Sequence, residues 1–221
     1  MARRNRGSRL TAPEARIAFT PGMKKRLTRR ALAMIERSLA LFPELRHHPV
    51  TIGYTLTHLG SASVTCRAGG TARLAIRLKV NCLSYQTIGH ELTHLVQGLA
   101  RGGRHSRAAP IGKIPGGEKQ CDIWTLARSR LFCDDPPTYL RLPRVVRQRW
   151  HQYAGRVRRL CIRAIAQRPA RRCYIRWLET EIRKLARVVP PGGPGAEQLA
   201  LPFGRAARNG RQVEIGAPGV T

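Results

Sequence analysis

Between residues 50 and 100 the apolar side chains change their spacing once, and that change limits the possible folds more than anything else in the chain. Val50, Ile52, Tyr54 and Leu56 alternate with Thr51, Gly53, Thr55 and Thr57. Successive side chains of a strand point to opposite faces, so this is the pattern of a half-buried strand. Ala62, Val64 and Cys66 alternate in the same way, and Leu74, Ile76, Leu78 and Val80 alternate with Arg73, Arg77 and Lys79. Gly69-Gly70 marks a turn between the last two. From Ser84 the period becomes helical, with Ile88, Leu92, Leu95, Val96 and Leu99 on one stripe. Ser84 is placed to cap the start, and Gly102-Gly103 stops the helix after about Ala100. Three strands on short glycine-containing turns predict an antiparallel meander packed against one helix.

The flanks extend this pattern. Leu27, Ala31, Met34, Ile35, Leu39 and Leu41 recur at helical spacing over Met23 to Leu41, and Phe42-Pro43 ends that helix. A glycine- and proline-rich loop over 101–117 leads to a second helix from about Glu118 to Phe132, and Asp134-Asp135-Pro136-Pro137 reads as a linker. Residues 143–167 and 171–188 read as two further helices with basic polar faces. The expected class is α+β: a small antiparallel or mixed sheet packed on the helix of residues 84–100, plus a basic helical C-terminal extension. The expected divisions are a disordered basic arm (1–19), the α+β domain (20–135), the helical extension (138–188) and a disordered tail (189–221) that opens on a Pro/Gly run.

Charge is the second constraint. The chain carries 41 basic residues against 12 acidic ones, a formal net charge of +29, and 35 of the basic residues are arginine. They concentrate outside the strand-and-helix segment: ten with one acid in residues 1–30, fifteen with two in 141–187, but eleven with five in 50–135. Clustered arginine neutralises phosphates, so the basic arm and the C-terminal helices are candidates for nucleic-acid contact. An arginine-rich codon bias with a merely solvated surface gives the same composition. No apolar run reaches about 18 residues, so a membrane-spanning helix is not expected, and no membrane partner is expected either. The basic start Met1-Ala2-Arg3-Arg4 has no apolar stretch after it, so the expected location is cytoplasmic. The six cysteines form no CxxC pair, so a zinc ribbon is not expected and reduced, mostly buried thiols are.

Within the helical segment stands His90-Glu91-Leu92-Thr93-His94. Two histidines four apart project from one face of a helix, and both imidazoles can reach a single tetrahedral metal ion. Glu91, about a third of a turn from His90, is placed to act on a water at the ion as general base rather than to bind the ion itself. Burying two histidines and a glutamate beside an apolar stripe without partners is unfavourable, so the pattern calls for a ligand, with Zn2+ as the expected cofactor. A third protein ligand is then required. Gln97 and Ala100 stand where a metzincin has glycine and histidine, which excludes that class. Two candidates remain: His105, and Glu118 at the start of the next helix. Glu118 is followed four residues on by Asp122, on the same helix face and able to accept the free ring N–H of a ligating histidine, so Glu118 is favoured.

His90-Glu91-Leu92-Thr93-His94 followed by Glu118-Lys119-Gln120-Cys121-Asp122 resembles the gluzincin arrangement, and residues 50–132 are similar to minimal zincin domains of the ImmA/IrrE and SprT-like groups. The resemblance implies zinc, peptide-bond hydrolysis of a protein or peptide substrate, and substrate docked along an edge strand, for which the segment Arg73–Val80 is the candidate. His105 is followed by Ser106 rather than the glycine of SprT-like proteins, and their C-terminal Cys-rich ribbon is missing, so a DNA-repair role is not carried over. Binding to nucleic acid, or a DNA-linked protease recruited by its basic helices, remains the alternative reading. Tyr85, Tyr139, Tyr153 and His151 are candidates for stabilising the oxyanion. His47, His48 and His58 read as surface or loop histidines.

Overall fold

The computed structural model describes residues 17–66, 72–101 and 114–188, all within one unit of the chain. The architecture is α+β. Strand β1 (Ile17–Phe19) leads into a short helix α1 (Pro21–Lys24) and a longer one, α2 (Arg29–Leu39). Strands β2 (Val50–Tyr54), β3 (Gly60–Cys66) and β4 (Ala72–Leu78) follow, and then helix α3 (Tyr85–Arg101). Helix α4 (Glu118–Arg128) precedes three C-terminal helices: α5 (Arg144–Gln148), α6 (Trp150–Gln167) and α7 (Tyr174–Val188).

The sheet is mixed, in the order β1-β2-β4-β3. The expected meander is corrected. β2 and β4 lie side by side and parallel, with Ile52 opposite Ile76, while β3 runs antiparallel on the outside of β4. β4 therefore has a neighbour on each side and cannot receive an added strand. Its role as substrate edge is overturned, and the edge near α3 is β3. The expected disordered arm is shortened at its end, because Ile17–Phe19 pairs parallel with Val50–Ile52. The rest of that arm, and the expected tail, lie outside the described residues.

Leu74, Ile76 and Leu78 of β4 are buried with Ile88, Leu92 and Leu95 of α3, so the apolar face of the sheet meets the apolar stripe of that helix. Burial of a leucine here is worth about 2 kcal/mol in transfer terms. Arg73 and Arg77 stay exposed on the other face of β4. Two predicted helices are broken. Between α1 and α2, Thr28 adopts an extended backbone and accepts from the Ala31 N–H at 3.1 Å, starting a new helix where apolar spacing alone suggests continuity. Between α5 and α6, Arg149 leaves the helical region, and the Trp150 indole N–H donates to the Cys133 carbonyl at 2.9 Å. The predicted helix 118–132 also ends early. Ser129 is extended and its hydroxyl accepts from Leu131 N–H, while Arg128 pairs with Glu44 at 2.6 Å.

The C-terminal helices do not stand apart from α4. Ile123 and Leu126 of α4 share a second buried cluster with Val146, Tyr153, Val157 and Leu178, and Trp124 packs against both clusters. Among the described residues no helix is long and apolar enough to cross a membrane.

Candidate metal centre

Helix α3 buries Ile88, Leu92 and Leu95 completely, which turns His90, Glu91 and His94 toward a cleft of about 390 Å³ between α3, β3 and the start of α4. The start of α3 is well fixed. The Ser84 hydroxyl accepts from Thr87 N–H at 3.1 Å, as the sequence predicts, and the Asp134 carboxylate accepts from Tyr85 and Gln86 N–H at 2.7 and 2.9 Å. A carboxylate on two N-terminal amides also complements the helix dipole. α4 lies close against α3 because residue 89 is glycine: a Cβ there would stand 2.7 Å from the Phe132 ring and from the Thr125 methyl group. The Thr93 and Thr125 hydroxyls meet at 2.8 Å across this contact, and Thr93 donates to the Gly89 carbonyl.

That approach brings Glu118 to the histidines. One Glu118 carboxylate oxygen stands 3.0 Å from His90 Nε2 and 3.0 Å from His94 Nε2, and the two nitrogens are 3.2 Å apart. The outer partners determine which ring nitrogens carry protons. Asp122 is fully buried; its Oδ1 stands 2.8 Å from His90 Nδ1 and also accepts from Gln86 Nε2 at 3.2 Å. Its Oδ2 accepts from Tyr139 N–H and Leu140 N–H at 2.7 Å each. A carboxylate so surrounded by donors makes His90 Nδ1 a donor too, which leaves the Nε2 lone pair aimed at the cleft. Gln97 does the same for His94. Its amide nitrogen donates to the Pro115 carbonyl at 2.5 Å, so its oxygen faces His94 Nδ1 at 3.1 Å and accepts the proton there.

Two nitrogen lone pairs and a carboxylate oxygen therefore converge on one point, an arrangement that repels itself unless positive charge sits among them. Three atoms at these separations lie about 1.8 Å from their common centre, close enough that His90, His94 and Glu118 would together fit a zinc ion. The titration tendencies agree. Burial works against a charged His90, yet the Asp122 hydrogen bond and charge, with Glu91 and Glu118, hold its pKa above the usual value. Burial alone would raise Glu118, but its contacts with the two histidines hold it low.

Glu91 is 6% exposed, and burial pushes its carboxyl up to about 7 despite the opposing pull of His90. It lies against β3 where residue 60 is glycine; a Cβ there would fall 2.6 Å from the Glu91 carboxylate oxygen. Tyr139 stacks on the His90 ring, with centroids 5.5 Å apart and planes at 23°, and lines the cleft with Ser61 and Ala62 of β3. Burial and the charges of Glu118, Glu91 and Asp122 raise its phenol above the ordinary range.

His90, Glu91, His94, Glu118 and Asp122 are thus brought together. His105 lies outside the described residues. Of the four oxyanion candidates only Tyr139 lines the cleft: Tyr153 is buried in the second cluster, His151 is exposed on α6, and Tyr85 packs on the sheet-side core. His47, His48 and His58 do not line it. Sequence reasoning missed Gln86, Gln97 and Gly60, and it also missed Cys121. The Cys121 thiol is fully buried one turn after Glu118, and its sulfur and one nitrogen of each histidine all lie within 4.8 Å of one another. That group can also hold a metal ion, although Glu118 Oε2 makes the tighter triangle with the same histidines. A residue three positions beyond a presumed ligand, on the same helical face, was the available signal for Cys121. No protein-family model matches the chain, no curated protein matches it, and no solved structure matches it.

Proposed function

We propose that this chain is a zinc-dependent metallopeptidase of zincin-like build, with His90, His94 and Glu118 as the metal ligands and Glu91 as the general base. The carrying observation is the triangle of one Glu118 oxygen and the two Nε2 atoms, with Asp122 and Gln97 placed to accept a proton at each Nδ1. Two imidazoles and a carboxylate with an open side suit zinc in a catalytic rather than a structural role. When bound, zinc supplies Lewis acidity, polarising a carbonyl and making a water acidic near neutral pH.

The remaining steps belong to the side chains. Glu91, lodged against Gly60, takes a proton from the attacking water and delivers it to the departing amide nitrogen. Tyr139, beside His90, donates its phenol proton in a hydrogen bond to the carbonyl oxygen as that oxygen gains charge. β3 pairs only with β4 among the described residues, so its free edge offers main-chain hydrogen bonds to an extended peptide across the cleft. Asp122 holds His90 and, through the Tyr139 and Leu140 amides, the loop that carries Tyr139, so one buried carboxylate keeps ligand and oxyanion donor in register.

The test is metal analysis of the purified chain together with casein or peptide cleavage, with Glu91→Gln as control. Stoichiometric zinc in both proteins, with cleavage reduced at least about 100-fold in Glu91→Gln, is the expected result. A chain without stoichiometric metal rejects the proposal.

A further inference from the structure

Helix α6 contains no acidic residue. Its apolar face is spent on the core, where Tyr153, Val157, Leu160, Cys161 and Ala164 are buried. Arg156, Arg159 and Arg163 are exposed. At 100° per residue, these three and Gln152 fall within about 60° of one another, a single stripe along the outer surface.

Among the described residues no salt bridge neutralises that stripe. Ion pairs formed by Lys or Arg among the described residues include Lys119–Glu179, Arg128–Glu44 and Lys184–Glu181, none of them on this stripe. Glu118 and Asp122 face the histidines, Asp134 caps α3, and Asp135 lies in the field of Arg147. Three exposed guanidinium groups are therefore held along one helix with none of these acids paired to them.

We propose that this face of α6 docks the phosphate backbone of duplex nucleic acid, without reading its sequence. The span from Arg156 to Arg163 is about 10 Å along the helix, over which a duplex presents about six phosphates. Two other occupants fit less well. A membrane surface needs an apolar face to insert, and that of α6 is buried, with Ile162 its one exposed large apolar side chain. Single strands are held by stacking on aromatic rings, but Trp150 and Tyr153, the Trp and Tyr of α6, are 5% and 1% exposed. This docking does not depend on the proposed peptidase activity.

The experiment is fluorescence anisotropy of a labelled 20-base-pair duplex with the full chain, at salt from 50 to 300 mM. The wild type is compared with Arg156→Gln/Arg159→Gln/Arg163→Gln and with a control of equal charge loss, Arg46→Gln/Arg73→Gln/Arg77→Gln, whose residues are exposed elsewhere. All proteins also carry Glu91→Gln, so that cleavage plays no part in the readout. The α6 triple variant is expected to bind more than about tenfold more weakly at 100 mM salt and to lose about 2–3 units of salt slope, while the control changes less than about twofold. Wild-type affinity in the α6 variant, equal losses in the two variants, or no binding at low salt overturns the proposal. So does tighter binding of single strands than of duplex, or equal binding of phosphatidylserine vesicles.

Discussion

Replacing Asp122 by asparagine puts an amide where every neighbour is a donor. Oδ1 receives His90 Nδ1 and Gln86 Nε2, and Oδ2 receives the Tyr139 and Leu140 amides. Asparagine has one oxygen, so its NH2 must face one of these pairs. If it faces Tyr139 and Leu140, two bonds of 2.7 Å are lost in a fully buried place. At about 1–3 kcal/mol for each donor left unsatisfied, that costs roughly 2–6 kcal/mol, a large part of a typical domain's stability. If it faces His90, the ring must accept at Nδ1 and carry its proton on Nε2, pointing into the acceptor triangle, and metal affinity falls about 10–100-fold. Urea unfolding in EDTA reads the first outcome, and competition for zinc with a chromophoric chelator reads the second. At least one must change by this much. An Asp122→Asn variant with wild-type stability and wild-type zinc affinity would refute the assignment of Asp122 and the tautomer reasoning built on it.

Further predictions follow from the same geometry. Gly60→Ala places a methyl group 2.6 Å from the Glu91 carboxylate oxygen, so peptide cleavage should fall at least about tenfold while zinc stoichiometry is kept; unchanged turnover contradicts the role of β3 in seating the base. Asp134→Ala removes the acceptor for two amides at the start of α3 and should lower stability by about 1–2 kcal/mol in thermal unfolding. Thiol labelling at pH 8 should show fast reaction at the exposed Cys82 and Cys173, slower reaction at the partly buried Cys133, and none at the buried Cys161 until the chain is unfolded. Burial pushes the Cys133 thiol up to about 11 and raises Cys161 as well, so their reactive thiolates are suppressed at any pH below that range. Rapid labelling of Cys161 in folded protein contradicts its burial.

The helix bearing the histidines was legible because its apolar residues are one-sided, although its polar side is buried as well: the stripe Ile88, Leu92, Leu95 needs a sheet to face, and that places His90 and His94 opposite. Glu118 and Asp122 were legible by their own spacing once a histidine pair demanded a third ligand and an outer acceptor. The partners of the strands were not legible. Alternation says which face of a strand is buried and nothing about its neighbour, so β4 was read as an edge when it is flanked on both sides. β1, three residues long, is too short to alternate visibly. Gln97 and Asp134 act through contacts 18 and 49 residues away in sequence, to Pro115 and Tyr85, and no local pattern encodes such contacts. The break at Thr28 was hidden because apolar spacing continues across it, and only the capping hydroxyl reveals it.

The metal centre itself is most directly tested by X-ray absorption at the zinc edge of the loaded protein. Two imidazole nitrogens and a carboxylate oxygen at roughly 2.0–2.2 Å with no sulfur are expected, with loss of the oxygen ligand in Glu118→Ala. A sulfur at about 2.3 Å that disappears in Cys121→Ser would contradict this ligand set, and would make Cys121 rather than Glu118 the third ligand.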